Sequence, residues 1–237
     1  MLGQSMNRTN KPVSITATQH LAGRLPVGLL LFCGILAFVL YISMDLAAAL
    51  RYEGYSYKNQ TISELSAVDA PTRTMWLWLA FPYEALVLAF GAGVILAAGT
   101  NRWVRIVGVL VVAYAIVGLA WPFAPMHHRE VLAAGGGDWR DTMHLVLAGV
   151  TSLLFLLIMG FGSLAFGKAF RLYTFATIGV LFVFGAFVAL QSPSLADNES
   201  TPWLGITERI NVFSAILWMA VFAGALLRRP PERQAER

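Results

Sequence analysis

Asp45, Glu84, His144 and Glu208 are ionisable side chains set inside, or at the edges of, long apolar runs. At membrane depth such groups are costly and face a bundle interior or a wet cavity. Three carboxylates and one imidazole in that setting point to proton transfer, with all four as candidate catalytic residues. Asp45, Asp141 and His144 together offer the oxygen and nitrogen ligands that a divalent cation such as zinc takes, which makes zinc the candidate cofactor. One histidine is a thin ligand set for zinc, so metal-free acid–base chemistry stands beside it. Ser63, Glu64, Arg140 and Arg209 supply a hydroxyl, a carboxylate and two guanidinium groups for binding a substrate.

Several of these residues also have plainer roles. Asp141 is placed to cap the helix that follows it, and Glu208 to sit in a first turn where the helix dipole favours an anion. Thr61-Ile62-Ser63-Glu64 has capping-box spacing, so ISELSA reads as a short helix at the membrane surface that ends by Pro71. His127 and His128 follow Pro125 in a loop and read as solvated. Asp45 and Glu84 resist such readings. Asp45 falls near the C-terminal end of its apolar run, where the dipole disfavours an anion. Glu84 lies eleven residues beyond Arg73, about 16 Å along a helix at 1.5 Å per residue. That depth is near the middle of a hydrocarbon layer of about 30 Å. Pro82, two residues earlier, leaves the carbonyl of Trp78 without its helical donor, so a kink is expected beside the acid. The plain reading of Glu84 is an ion pair with an Arg or His that locks the bundle.

The elements that must position these groups are apolar helices. Of 237 residues 57% are hydrophobic and only 13% charged, against roughly a quarter charged in soluble domains, and the mean hydropathy is +0.65. Six runs approach the roughly 20 residues needed to cross a bilayer. They lie between Arg24 and Asp45, Arg73 and Arg102, Arg105 and His127, His144 and Lys168, Arg171 and Asp197, and Arg209 and Arg228. The expectation is an all-α bundle of six transmembrane helices: residues 1–24 a polar cytoplasmic segment, 25–227 the membrane domain, 228–237 a cytoplasmic tail. The second and third spans, and the fourth and fifth, are joined by short turns and should pack as antiparallel neighbours. The N-terminal stretch lacks the apolar core of a cleaved signal peptide, so the first span should remain as an anchor.

Both termini inside places 11 Lys and Arg on the inner side against 6 outside, the direction that the positive-inside rule favours. The three long loops, the interfacial residues Trp76, Trp78, Trp121, Trp139 and Trp203, and Tyr52, Tyr55 and Tyr57 then lie at the outer face. The net charge of +4 comes from basic residues scattered between spans, not from a patch with interleaved aromatics, which excludes nucleic acid as a partner. Cys33 is the only cysteine, so neither an intramolecular disulfide nor a cysteine metal cluster can form. No Gly-x-Ser-x-Gly or His-Glu-x-x-His pattern occurs.

ISELSA followed by Pro71, the triplet Phe123-Ala124-Pro125, His144 at the start of the fourth span, and Gly205-Ile206-Thr207-Glu208-Arg209-Ile210 at the start of the sixth form a recognisable set. With these the chain resembles, over roughly residues 25 to 227, the six-helix prokaryotic membrane family of unknown function DUF-998. Ser66 stands where glycine is expected in that family. The resemblance implies a multi-pass protein of the cell (inner) membrane and singles out Ser63, Glu64, His144, Glu208 and Arg209. The ISELSA segment is also faintly similar to Frag-like and DRAM-like membrane proteins. Three functions fit these readings: an enzyme acting on a lipid or lipid-linked substrate at the outer leaflet, a small-molecule or proton-coupled carrier using Glu84, or a non-catalytic lipid-binding or assembly protein. The bilayer is the partner common to all three, and six helices without an internal repeat suit a carrier only as a homo-oligomer.

Overall fold

The computed structural model describes residues 15–229, with side chains from Pro26 onward. Arg8, Lys11, Arg24, Arg233 and Arg237, which enter the orientation reading, lie outside the described residues or side chains. Seven α-helices follow in order: α1 Ile15–Arg51, α2 Arg73–Ala97, α3 Arg102–Gly118, α4 Arg129–Ala133, α5 Trp139–Gly162, α6 Lys168–Ala196 and α7 Leu204–Leu227. Two 3-10 turns, Ser63–Ser66 and Trp121–Phe123, flank α2 and α3, and no strand occurs among the described residues. Six of the helices are long and apolar enough to cross a membrane; only the five-residue α4 is not.

Two boundaries differ from expectation. α1 is already helical at Ile15, the first described residue, and runs through Pro26, well before the apolar run itself. The cap of α5 is Asp138, not Asp141: Asp138 accepts from Arg140 N–H, and Asp141, three residues on, accepts from Asp138 N–H in a capping box. Both acids therefore serve the helix start, and it begins at Trp139.

α1 packs against α2 and α7, α2 against α3, α3 against α5, and α6 against α7. The α2–α3 pair is close, as its short turn predicts. α5 and α6, joined by residues 163–167, touch only lightly, and the reason is an aromatic wedge from α7. Trp218 is fully buried; its ring occupies the space that a Cβ on Gly162 of α5 would need, and its indole N–H donates to Thr174 Oγ1 of α6 at 2.9 Å. Phe222 stacks on it at 5.1 Å between centroids, so α6 packs mainly on α7 while α5 packs mainly on α3.

All three long connections lie at one end of the bundle and are knitted into a cap. Val68 N–H donates to Met126 O at 2.8 Å, and Ile206 N–H to Lys58 O at 3.2 Å. Asn59 accepts twice more, from Thr201 Oγ1 at its carbonyl and from Trp203 N–H at its side chain. A second small core of Ala67, Ala70, Met126, Leu195 and Leu204 lies beneath the cap. Gly205 is where the first loop crosses the start of α7: the carbonyl oxygens of Tyr57 and Gln60 fill the place of its missing side chain. Large apolar side chains such as Leu50, Leu172 and Leu190 are exposed around the spans, as a lipid-facing surface requires.

Candidate functional site

The most buried ion pair among the described residues joins α1 and α7. Asp45 is fully buried and Arg209 is 3% exposed. Arg209 Nε donates to Asp45 Oδ2 at 3.0 Å and its Nη2 to Oδ1 at 2.9 Å, the bidentate fork. Its Nη1 donates to the carbonyls of Tyr57, Gln60 and Gly205, and its Nη2 also to Tyr55 Oη. The guanidinium lies 3.6 Å from the centroid of the Tyr57 ring, and Tyr57 Oη donates to Asp45 Oδ2 at 2.8 Å. Burial first, and then the hydrogen bond to Asp45, raise the Tyr57 phenol above its ordinary value. Burial does the same for Tyr55 against the opposing effect of Arg209. Both phenols therefore stay neutral and keep their protons available as donors. The helix dipole that disfavours Asp45 is outweighed by a guanidinium with every donor engaged. Arg209 thereby fastens the first loop, through the carbonyls of Tyr57 and Gln60, to the end of α1 and the start of α7.

A second clamp holds the 3-10 turn. Thr61 N–H and Oγ1 both donate to Glu64 Oε2, and Glu64 N–H to Thr61 Oγ1, the expected reciprocal box. It opens the 3-10 turn Ser63–Ser66 and not a longer surface helix. Arg129, from the second loop, forks onto Glu64 with two bonds of 3.0 Å and reaches Thr201 Oγ1 in the third. The carboxylate is 1% exposed. Glu208 accepts from Ile62 N–H, bringing α7 to the same turn. With Glu64, Glu208 and Arg129 all committed to one four-residue turn, Ser63 at its head is held in place.

Ser63 faces His144. His144 Nδ1 lies 2.9 Å from the carbonyl oxygen of Ala124 and its Nε2 lies 3.0 Å from Ser63 Oγ. A carbonyl only accepts, so Nδ1 carries the proton, Nε2 carries the lone pair, and the Ser63 hydroxyl donates to it. The Trp121 ring meets the imidazole edge-on at 4.9 Å between centroids. Ser63 and His144 line a cavity of about 120 Å³ that also borders Ser66, Arg73, Trp76 and Trp121. Tyr41, Leu77, Ala80 and Gly118 close its deeper, apolar part. A hydroxyl hydrogen-bonded to an imidazole lone pair, with a third group orienting the ring, is the geometry of an activated serine nucleophile and its general base.

The remaining candidates lie apart. Asp141 accepts from His127 N–H at 2.7 Å and bonds His127 Nδ1 at 2.8 Å, so His127 is a partner of α5 and not the solvated loop residue expected. Arg140 pairs with Asp138 at 3.0 Å in a pair over a third exposed on each side, which carries little energy. Glu84 lies over Gly118, with no room there for a Cβ. Its Oε2 is buried without a hydrogen-bond partner, and no ion pair locks it to the bundle among the described residues. Asp45, Asp141 and His144, the expected zinc ligands, each take a separate set of partners and do not form one donor set. Asp141 gathers instead with His127 and Asp138, with ligand atoms within 4.8 Å of one another.

Arg73, Arg129, Tyr55, Tyr57 and Trp121 carry much of this arrangement, and sequence reasoning took them as span borders, loop charges or interfacial anchors. No curated protein and no solved structure matches the chain. The family model described as protein of unknown function (DUF998) matches residues 35–225, a range that holds every residue of the clamps and the cavity, and the chain belongs to that family.

Proposed function

We propose that the chain is a membrane-embedded serine hydrolase or acyltransferase acting on a lipid or lipid-linked ester, with Ser63 as nucleophile and His144 as general base. The observation that carries this reading is the 3.0 Å hydrogen bond from Ser63 to a His144 lone pair at the wall of a cavity. In the reaction Ser63 Oγ attacks the ester carbonyl carbon while its proton passes to His144 Nε2, giving a tetrahedral oxyanion. The intermediate collapses by breaking the carbon–oxygen bond to the leaving alcohol, which takes the proton from His144. Water, or an acceptor alcohol, then repeats the sequence on the acyl-serine and restores the hydroxyl. Asp45, Glu64, Glu208, Arg129 and Arg209 act as positioning residues that hold the cap and the Ser63 turn. A carrier reading rests on Glu84, a half-buried acid whose Oε2 is buried without a partner among the described residues, and which borders the apolar end of the same cavity through Gly118.

Purified protein in phospholipid vesicles should release free fatty acid or lysophospholipid, detected by mass spectrometry. Vesicles that stay chemically unchanged with every ester lipid tried would remove the hydrolase reading. The 11-to-6 charge split supports placing the cap at the outer leaflet of a prokaryotic cell membrane. In a Cys33→Ser background, Glu53→Cys should react with an impermeant thiol reagent in intact cells and Lys168→Cys should not; both positions are exposed. The opposite pattern would invert the orientation.

A further inference from the structure

The proposed chemistry uses Ser63 and His144 but leaves unexplained the charge that shares their cavity. Arg73 opens α2, with its guanidinium lining the cavity and half-buried. Nη1 donates to Ser66 O at 2.6 Å and Nη2 to Pro122 O at 3.1 Å. These two bonds fix the fork between the first and second loops, one 3-10 turn from Ser63, and occupy two of its five N–H donors. Glu64, Asp45, Asp138 and Asp141 have their own cationic or histidine partners, and no carboxylate pairs with Arg73 among the described residues. Exposed Asp69 is near enough to act on Arg73 electrostatically but makes no ion pair with it, and Arg140 adds positive charge. A fixed guanidinium with free donors and no carboxylate in contact, facing a cavity, is a receptor for an anion that guanidinium recognises in planar, forked fashion.

Below it the cavity turns apolar in one direction. Arg73, Trp76, Leu77 and Ala80 follow i, i+3, i+4, i+7 spacing, so they share one face of α2. That face descends about 10 Å from Arg73 to Ala80 at 1.5 Å per residue. A volume of about 120 Å³ is well below the roughly 300 Å³ of a pocket that encloses a whole small ligand. It accommodates the junction of a lipid and leaves the chains in the bilayer. Resting on the ester reading above, we infer that Arg73 binds the phosphate of a phospholipid, so that the substrates are phosphate-bearing lipid esters and not neutral acylglycerols.

The test separates this inference from the ester chemistry by measuring binding as well as turnover. The Ser63→Ala protein, full length in detergent, is titrated with dihexanoyl phosphatidic acid and with dihexanoylglycerol, which carry the same esters and differ in the phosphate. The phosphatidic acid should bind at least ten-fold tighter, and Arg73→Gln added to Ser63→Ala should remove that preference by about ten- to hundred-fold. Arg73→Lys, which keeps the charge but not the fork, should fall between. Competition by inorganic phosphate at millimolar levels with no effect of the acyl chains would identify a free-phosphate site and overturn the lipid assignment. Equal binding of the two lipids to Ser63→Ala overturns the inference whatever the Arg73 variants do, even if wild type hydrolyses both. A phosphate preference without any hydrolysis upholds Arg73 and removes the enzyme reading alone.

Discussion

Ser63→Ala is expected to lower ester turnover by about a thousand-fold or more, because the reacting atom itself is removed. His144→Ala should lose a similar factor, since the Ser63 hydroxyl then has neither a base nor a fixed direction. The double variant should be scarcely worse than either single one, the signature of residues that act as a unit. Neither change should unfold the protein. Removing the Ser63 hydroxyl leaves His144 Nε2 facing a cavity that admits water, a cost of about 1 kcal/mol. Turnover and thermal unfolding measured on the same preparations check both statements. Two single losses that multiply in the double variant would mean that Ser63 and His144 work independently, and the dyad would be wrong.

The second large effect concerns stability. Arg209→Met should cost about 3–5 kcal/mol, because it leaves the Asp45 carboxylate buried with Tyr57 as its one remaining donor. It also frees the two loop carbonyls, of Tyr57 and Gln60, that Arg209 holds. Asp45→Asn should be costly for the same reason in reverse, leaving a buried guanidinium without its anion. The helix dipole alone predicts the contrary, a neutral or slightly stabilising change at the end of α1, so this substitution weighs the ion pair against the dipole directly. Asp45→Leu combined with Arg209→Met should recover part of the loss, since replacing both partners restores a dry contact. Melting temperatures of the three variants in one detergent provide the comparison. An Asp45→Asn protein as stable as wild type would show that the pair holds nothing together.

The six spans were legible because hydrocarbon thickness imposes a length and an apolar composition that few charges interrupt. The packing of those spans was less so. A short turn joins α5 to α6, yet their separation depends on the volume of Trp218, a residue on a third helix. Among the polar residues, sequence picked out Asp45, His144, Glu208 and Arg209 by their cost at the membrane, and Ser63 and Glu64 by capping-box spacing and the family resemblance, and all six lie under the cap. Their pairing was not legible, since Ser63 and His144 are 81 positions apart and Asp45 and Arg209 are 164 apart. Nothing local distinguishes Arg129, which forks onto a buried acid, from any solvated loop arginine. Arg73 was hidden differently, because a positive charge at the start of a span has an ordinary explanation at the headgroups. The Asp138 cap was missed for want of three residues: Gly135–Gly137 allow the chain to turn into α5 earlier than the apolar run begins.

The central claim is that Ser63 is a nucleophile activated by His144, and covalent labelling tests it most directly. Intact protein in vesicles is treated with a fluorophosphonate probe, which reacts only with an activated serine hydroxyl, and the adduct is located by peptide mass spectrometry. The dyad predicts a single adduct on Ser63 that is lost in His144→Ala and retained in Glu84→Gln. An unlabelled Ser63 in folded wild-type protein, or an adduct formed equally well without His144, would contradict it.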